Sequence, residues 1–320
     1  MIKKVRLEAC SLCQLDCQDC FMRRYPRAVK AIGLGYLSFT NFKKFLRLNP
    51  EITNIELSNA GEIFLNPDLL KIMNYAHAHG VVLSAYGGVN LNDASDEILE
   101  ALVTTNFNKL VVSLDGASQP SYSCYRRGGS FDKVVANIQK INHYKAKHNS
   151  KNPRLLWKYI IFRSTEKLEE IKKAKKLARQ LKMKLFFYKD YMGYVPRQLR
   201  MIKKETGLVY SRQKFKEETA FDRSDYFPCF ALWHEPQINW DGRFLGCCAN
   251  HKGSFSRDNL FEISLREYMN KPLITKTKRI LQGEKLLVLS QCYRCYFYWQ
   301  MFEHQNFIRD EELAAFAKRN

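Results

Sequence analysis

Three cysteines near the start of the chain, Cys13, Cys17 and Cys20, have the spacing C-x3-C-x2-C. A structural zinc site usually takes four ligands, arranged as two C-x2-C pairs, so this spacing suits one side of an iron–sulfur cluster better. Three thiolates on a four-iron cluster leave one iron open, and an open iron can bind a substrate or a cosubstrate. Because Cys10 forms a C-x2-C pair with Cys13, a four-cysteine zinc site remains the alternative for this stretch.

A second group of cysteines lies near the other end of the chain. Its members are Cys229, Cys247, Cys248, Cys292 and Cys295. Of the ten cysteines, only Cys124 lies outside both this group and the four near the start, Cys10, Cys13, Cys17 and Cys20. The sequence has no signal peptide and no apolar window of membrane-spanning length, so we expect a cytoplasmic protein whose thiols stay reduced. Reduced thiols that cluster in this way predict two metal centres.

The net charge of +20 allows two interpretations. In functional terms it fits an acidic or phosphorylated substrate, an acidic peptide, a membrane surface or nucleic acid. The plainer interpretation is that lysines coat solvent-facing helices, as along residues 167–178, where apolar side chains recur at helical spacing. Net charge alone therefore identifies no ligand.

Short apolar runs alternate with longer amphipathic runs from Met1 to about Tyr188. Strands separated by helices imply right-handed crossovers and a parallel sheet. Six such units predict an α/β fold, a partial (β/α)6 barrel over residues 1–192, whose site is built from the loops after the strands. Residues 193–225 are predicted to be a basic linker, and residues 226–320 a small cysteine-rich domain that ends in a helix.

Polar residues follow two of the predicted strands. Asn59-Ala60-Gly61-Glu62 comes after the second strand, and its glycine permits close backbone approach while its glutamate can accept hydrogen bonds from an ammonium group. Ser113 and Asp115 close the fourth strand, and Arg126 and Arg127 follow. An aspartate suits ribose hydroxyls and an arginine suits a carboxylate, although both residue types are equally common in surface turns.

Taken in order, these segments resemble radical S-adenosylmethionine (SAM) enzymes over about the first two thirds of the chain. The resemblance implies that Cys13, Cys17 and Cys20 hold a [4Fe-4S] cluster whose open iron is chelated by SAM. It also implies reductive cleavage of SAM to methionine and a 5′-deoxyadenosyl radical, which abstracts hydrogen from the substrate. An electron donor such as flavodoxin or ferredoxin is the expected partner.

The resemblance also assigns contacts to SAM. Gly61 and Glu62 stand where the family usually has Gly-Gly-Glu-Pro, which holds the amino group, although the first two residues of that motif differ here. Asp19 replaces the usual aromatic residue before the third cysteine, so stacking on adenine is assigned to Phe21. The remaining implied contacts are Ser113 and Asp115 from the fourth strand and Arg126 or Arg127 on the carboxylate.

The second cysteine group resembles the C-terminal extension called SPASM or twitch, which holds auxiliary iron–sulfur clusters beside the barrel. Five cysteines suit the shorter twitch form, so the resemblance implies one auxiliary [4Fe-4S] cluster on Cys229, Cys247, Cys292 and Cys295. A zinc site on the same four thiolates is the alternative. Residues 239–243 are predicted to form a β-turn between two strands, which would place Cys247 opposite Cys229.

One thiol of the second group, Cys248, is spare in this arrangement. The resemblance makes it a candidate donor of a hydrogen atom to a substrate radical, with Cys124 and Cys10 as further candidates. The expected activity is that of an oxidoreductase or epimerase. We expect it to epimerise, dehydrogenate or crosslink a ribosomally made peptide, or to modify a sugar or cyclitol.

The alternative class of function is a non-catalytic, basic zinc protein that binds nucleic acid. It would need two zinc sites and aromatic residues interleaved with basic ones on one face. Residues 293–299 meet this requirement only loosely. They are better explained as a small core around a cluster.

Overall fold

The computed structural model describes residues 2–190, 193–210, 229–250 and 252–319. Seven strands in this part of the chain form one parallel sheet: β1 (Lys4–Leu7), β2 (Asn54–Glu56), β3 (Val82–Val89), β4 (Lys109–Ser113), β5 (Arg154–Ile161), β6 (Lys184–Lys189) and β7 (Gln237–Ile238). Their order across the sheet is β6-β5-β4-β3-β2-β1-β7, so each of the first six strands lies beside its sequence neighbour.

Helices supply the crossovers that parallel strands require. They are α1 (Phe21–Arg24), α2 (Pro26–Ile32), α3 (Phe39–Leu48), α4 (Leu69–Ala78), α5 (Asp96–Thr104), α6 (Gln119–Tyr125), α7 (Phe131–Lys147), α8 (Leu168–Gln180), α9 (Leu199–Thr206), α10 (Ala231–His234), α11 (Leu265–Met269), α12 (Pro272–Leu281), α13 (Tyr296–Glu303) and α14 (Asp310–Arg319). Short 3-10 turns occupy Ile63–Leu65 and Gln291–Arg294.

The predicted partial barrel is confirmed, with one strand more than the six expected. In the described residues β6 and β7 form the two edges of the sheet, so the barrel is open. β7 comes from the cysteine-rich region and pairs in parallel with β1, with Arg6 opposite Gln237. The sequence prediction missed β7 because a two-residue strand has no measurable periodicity and its partner lies at the other end of the chain.

The turn predicted at residues 239–243 is present, but its second flank is shorter than expected. The Asn239 N–H donates to the Arg243 carbonyl at 2.9 Å. Gly242 adopts a φ of +87°, which favours glycine. Beyond the turn, one antiparallel bridge between Ile238 and Phe244 replaces the second strand.

The two faces of the sheet have opposite characters. Val5 and Leu7 of β1 are fully buried in a core shared with helix residues such as Phe42, whereas Lys4 and Arg6 alternate with them on the other face. Successive side chains of a strand point to opposite faces, so the helix-packed face is apolar and the inner face is polar. The inner face and the loops after the strands are therefore where a polar ligand can bind.

Serine caps begin three of the helices that cover the sheet. The hydroxyls of Ser38, Ser95 and Ser130 each accept a backbone N–H from the first turn of α3, α5 and α7. Each such cap stabilises a helix by about 1 kcal/mol. These local signals explain why the starts of these helices could be predicted.

Two further expectations concern the linker and the membrane. The helix α9 lies inside the predicted linker 193–225, of which residues 211–225 fall outside the described part of the chain. We retain the domain boundaries as a proposal, although β7 ties residues 226–320 to the barrel sheet. Within the described ranges, every helix is too short or too polar to cross a bilayer.

Candidate functional site

The first cysteine group lies on the loop between β1 and α1, at the C-terminal end of β1. In this loop the Cys20 N–H donates to the Cys17 carbonyl at 3.2 Å, and the Arg23 N–H donates to the Cys20 carbonyl at 2.9 Å. Cys17 is buried, and Cys13 and Cys20 are half-buried. The structure therefore places all three thiols at the strand ends, where a barrel of this kind builds its site.

Burial raises the pKa of two of these thiols. The pKa of Cys13 rises to about 11, with added repulsion from Glu62, Cys17 and Cys20. The pKa of Cys17 is also raised by burial, although the positive charge of Arg126 opposes the rise. Since metal ligands must be deprotonated, a cluster bound here would supply positive charge and its binding would release protons.

Two side chains from neighbouring loops donate hydrogen bonds to the thiols. Asn90, just after β3, has its Nδ2 3.6 Å from Cys13 Sγ. Arg126, at the end of α6, has its Nη1 3.6 Å from Cys17 Sγ. Hydrogen bonds to the sulfurs of a cluster are one factor that sets its reduction potential. Asn90 is not among the predicted site residues, and the contact predicted for Arg126 is the SAM carboxylate.

The Arg126 guanidinium is held by Asp115 in a buried ion pair. Its Nε and Nη2 lie 2.7 and 2.5 Å from Asp115 Oδ2. The other carboxylate oxygen accepts the Ile160 N–H at 2.8 Å. Burial would lower the pKa of Arg126, but Asp115 and the Cys17 thiol more than offset this, and the pKa is raised. Asp115 thus holds Arg126 in place, and its contact with the ribose of SAM stays a prediction.

Gly61 and Glu62 join the loop after β2 to the cysteine loop. A Cβ on Gly61 would lie 2.5 Å from the carbonyl oxygens of Cys10 and Leu12, so only glycine fits. The Glu62 N–H donates to the Leu12 carbonyl at 2.7 Å. The buried Glu62 carboxylate accepts the Asn90 N–H at 2.5 Å, and burial raises its pKa to about 7. Contact of Gly61 and Glu62 with the SAM amino group stays a prediction.

Changing Gly61 to alanine is expected to displace the cysteine loop. The new methyl group meets backbone oxygens that cannot rotate away, so we expect destabilisation of about 1–3 kcal/mol and weaker iron retention. Gly80→Ala is the control for iron retention, because its added Cβ would have no neighbour within 4 Å and the strain at its φ of +69° falls on the turn before β3. Iron content and urea unfolding of both variants check this, and equal iron retention by both would contradict it.

Two buried glutamates hold the neighbouring strand ends in place. Neither was among the predicted site residues. Glu8, just after β1, accepts the Ala60 N–H at 3.0 Å. Glu56, the last residue of β2, accepts the Tyr86 N–H at 2.8 Å and the Gly87 N–H at 2.9 Å. Burial raises the pKa of Glu8 to about 8 and that of Glu56 to about 7. The sequence signal for each is an acidic residue flanked by apolar ones, Leu7 and Ala9 for Glu8 and Ile55 and Leu57 for Glu56.

The raised pKa of Glu56 predicts a pH-dependent stability. Its folded-state pKa of about 7 exceeds the ordinary value of 4.5. Its contribution to the free energy of unfolding is therefore fully present below pH 4.5 and is lost as the pH rises to 7. The loss amounts to about 3 kcal/mol across that window. We expect Glu56→Gln to have a flatter pH dependence than the unmodified protein in urea unfolding between pH 5 and 7.5. Parallel curves would contradict this.

The other predicted SAM contacts lie around the same strand ends. Ser113 is buried at the end of β4, and a Cβ on Gly88 would lie 2.6 Å from its hydroxyl oxygen. Phe21, in α1, packs beside a small cluster that contains Met22. The Arg127 side chain points to the surface, where it donates to Gln18 at 3.3 Å. Of the two arginines, Arg126 is thus the one that reaches the thiols.

The second cysteine group encloses a cavity of about 260 Å³ lined by Cys229, Cys247, Cys292 and Cys295. Burial raises the pKa of Cys229 to about 11 and that of Cys292 to about 12. Burial also raises the pKa of Cys247 well above its ordinary value, with repulsion from the surrounding thiols. The structure therefore brings together the four thiols that the sequence predicted as ligands.

The donor set and the size of this cavity fit an iron–sulfur cluster. In the part of the chain that the structure describes, no three His, Cys, Asp or Glu side chains are placed as ligands of a single ion would be. The cavity volume of about 260 Å³ is well above the roughly 10–15 Å³ of such volume that one water needs. Four thiols that line a cavity of this size fit a four-iron cluster, and zinc on the same thiols is the alternative.

The three remaining cysteines occupy different environments. Cys248 is exposed, and its carbonyl accepts a hydrogen bond from Asn59 Nδ2 at 3.4 Å. Burial lowers the pKa of Arg6, on the inner face of β1, but the nearby charges of Cys248, Glu235 and Glu56 outweigh burial and the pKa is raised. Cys124 is exposed on α6, and Cys10 is buried with its thiol directed at the Leu12 carbonyl. Among these three, Cys248 is the one near the inner face of the barrel.

Comparisons with known proteins agree with this geometry. Residues 229–296 match a family model described as SPASM, an iron–sulfur cluster-binding domain. The structure of Streptococcus suis SuiB bound to S-adenosylmethionine superposes on 93% of this chain and 71% of its own, with a TM-score of 0.63 and 16% identity. This chain has the fold of radical SAM enzymes, with a match to the SPASM domain over residues 229–296. The SPASM match does not give the number of auxiliary clusters, so a single auxiliary cluster stays a prediction.

Two further proteins are similar to parts of this chain or to its fold. Native anSMEcpe with bound AdoMet has a TM-score of 0.57 and 13% identity, over 92% of this chain and 87% of its own. The mycofactocin maturase MftC of Mycobacterium tuberculosis H37Rv is 29% identical over 138 residues, which are 42% of this chain and 32% of MftC. The match thus spans about a third of the curated relative.

Proposed function

We propose that this protein binds a [4Fe-4S] cluster on Cys13, Cys17 and Cys20 and cleaves SAM at it to modify a peptide. When bound, the reduced cluster supplies one electron to SAM, which yields methionine and the 5′-deoxyadenosyl radical. The observation that carries the proposal is the convergence of the three thiols with Asn90 and Arg126 at the barrel's strand ends. An open iron follows from a ligand set of three thiolates.

The surrounding residues hold this site in shape. Asp115 fixes Arg126 against Cys17, and Gly61 lets the loop after β2 pack directly on the cysteine loop. The Glu62 carboxylate joins that loop to the backbone after β3. We assign the contacts with SAM to these residues and also to Ser113 and Phe21. Because the strand ends are buried, bulk water is kept out of the site.

A peptide is the substrate that the comparisons favour. One SuiB structure holds the precursor peptide SuiA, with a TM-score of 0.62 and 13% identity to this chain. BtrN in complex with AdoMet and 2-DOIA is less similar, with a TM-score of 0.50. The charge of +20 suits a peptide with acidic residues. We therefore place a peptide ahead of a sugar or cyclitol.

The second cysteine group is proposed to hold one auxiliary [4Fe-4S] cluster. With Cys229, Cys247, Cys292 and Cys295 as ligands, such a cluster has no open iron and would carry electrons rather than bind substrate. An electron carrier beside the barrel suits oxidation of a substrate radical. Flavodoxin or ferredoxin is the proposed donor to the first cluster.

Cys248 is proposed as a hydrogen-atom donor to the substrate radical, because it is the spare thiol near the inner face. If it acts in this way, product formed in heavy water carries deuterium, and Cys248→Ala abolishes that label. Cys124→Ala is the matched control and should keep the label. Mass spectrometry of the modified peptide decides between the outcomes. A label that survives in Cys248→Ala refutes Cys248 as the donor, whereas product of the unmodified protein without any label argues against epimerisation and favours oxidation.

The proposed function is tested by anaerobic reconstitution with iron and sulfide. The reconstituted protein, given dithionite and SAM, should form 5′-deoxyadenosine, which is measured by liquid chromatography. Formation of this product supports the enzyme assignment. Failure to take up iron together with absence of the product would refute it and would revive the zinc-protein alternative.

A further inference from the structure

The inner face of the sheet carries a band of polar side chains across β1 to β4. The strand register places Arg6 opposite Glu56, Glu56 opposite Ser84 and Ser84 opposite Lys109. Lys4 precedes Arg6 by two residues and so lies on the same face. This band belongs to neither cysteine group, and the proposed chemistry gives it no role.

Three positive charges surround one aromatic ring in this band. Lys4 Nζ and Arg6 Cζ each lie 4.9 Å from the centre of the Tyr86 ring, and Lys109 Nζ lies 5.5 Å from it. Like charges this close repel one another. Glu235 balances part of the charge, with its carboxylate oxygens 3.2 Å from Lys4 Nζ and 3.4 Å from Arg6 Nε.

The charge of Lys109 is left unbalanced. Among the described residues, no ion pair involves Lys109, and the nearby Glu56 carboxylate is occupied by backbone N–H groups. Burial and the positive charges of Arg154 and Lys4 lower the pKa of Lys109. An anion bound beside this ammonium would remove that repulsion.

A cavity of about 660 Å³ opens onto this cluster. Its lining includes Lys4, Lys109, Tyr86, Asn54, Asn108 and Trp233. The buried hydroxyl of Tyr86 has no hydrogen-bond partner among the described residues. The volume lies in the range of ligand pockets, and the lining combines charge, amides and aromatic surface.

We propose that this cavity binds an oxyanion, a carboxylate or a phosphate, that belongs to the substrate. Lys4 and Lys109 supply the charge, and the Tyr86 hydroxyl donates a hydrogen bond. The assignment of the anion to the substrate rests on the proposed function. The cavity itself is a binding site whether or not SAM is cleaved.

The position of the cavity separates it from the predicted SAM contacts. Lys4 and Lys109, which line the cavity, are the first residues of β1 and β4, whereas the cysteine loop follows the last residue of β1. At about 3.3 Å per residue, the four residues of β1 separate Lys4 from that loop by roughly 13 Å. Arg126, the predicted contact of the SAM carboxylate, lies at the cysteine loop. The cavity therefore holds a part of the substrate that lies away from the first cysteine group.

The experiment is calorimetric titration of glutarate and, separately, inorganic phosphate into the reconstituted protein at low ionic strength. We expect the unmodified protein to bind at least one probe, and Lys109→Met to weaken binding at least about tenfold. Tyr86→Phe, which keeps the ring and removes the hydroxyl, should weaken it about three- to tenfold. Lys176→Met removes an exposed charge from α8 and should leave binding unchanged.

Two results would overturn the anion site. One is absence of binding of both probes at about 10 mM, and the other is equal affinity of Lys109→Met and Lys176→Met. The preferred probe distinguishes an acidic side chain from a phosphorylated group. Because the titration contains neither SAM nor reductant, it is independent of the 5′-deoxyadenosine assay. Binding of a probe together with failure of that assay would uphold the site and refute the proposed function. SAM cleavage without binding of either probe would refute the site alone.

Discussion

Replacing Cys13, Cys17 and Cys20 together with alanine is expected to abolish 5′-deoxyadenosine formation and to lower bound iron from about eight to about four per chain. The three thiols share one loop after β1, whereas the second group lines a separate cavity. Loss of the first cluster should therefore leave the second in place. Iron analysis and product chromatography measure the two effects.

The control for this triple variant is Cys124→Ala. Cys124 is an exposed thiol on α6 and belongs to neither cysteine group. It should keep all of the iron and the full rate of SAM cleavage. Retention of about eight irons by the triple variant would contradict the ligand assignment.

Asp115→Asn is expected to lower the free energy of unfolding by about 3–5 kcal/mol, because it leaves the Arg126 guanidinium buried without a counter-charge. The side chain of Asp115 is 0% exposed and that of Arg126 is 16% exposed, so the ion pair lies largely out of water. Since Arg126 also donates to Cys17, the variant should hold the first cluster less tightly and shift its reduction potential.

Urea unfolding and a potentiometric titration of the reconstituted variant check this prediction. Asp96→Asn is the matched control, because Asp96 pairs with Lys140 at the surface with 62% of its side chain exposed. Exposed pairs contribute only about 0–1 kcal/mol. If both variants unfold alike and keep the potential of the unmodified protein, Asp115 has no role in positioning Arg126.

The order of strands and helices could be predicted because each element carries a local signal. Runs such as residues 110–112 and 155–157 are apolar and short, and serines mark several helix starts. β7 had no such signal, since two residues pair with a strand from the other end of the chain. Long-range pairing of this kind is fixed by the whole barrel and not by the local sequence.

The thiol ligands could be predicted from their spacing, but their environment could not. Spacing shows that Cys13, Cys17 and Cys20 share a loop, and it cannot show that Asn90 and Arg126 reach their sulfurs. Such contacts depend on the strand register and on side-chain directions in three dimensions. The same applies to Glu8 and Glu56, whose backbone partners belong to neighbouring loops and strands, and to the cation cluster around Tyr86.

The open iron of the first cluster is examined most directly by electron paramagnetic resonance of the reduced protein with and without SAM. To isolate that cluster, the measurement uses a variant with Cys229, Cys247, Cys292 and Cys295 changed to alanine, beside the unmodified protein. If three thiolates hold the cluster, SAM binds the open iron and changes the spectrum of both proteins. A reduced cluster whose spectrum is unaffected by SAM, or the absence of any cluster signal, would contradict the account.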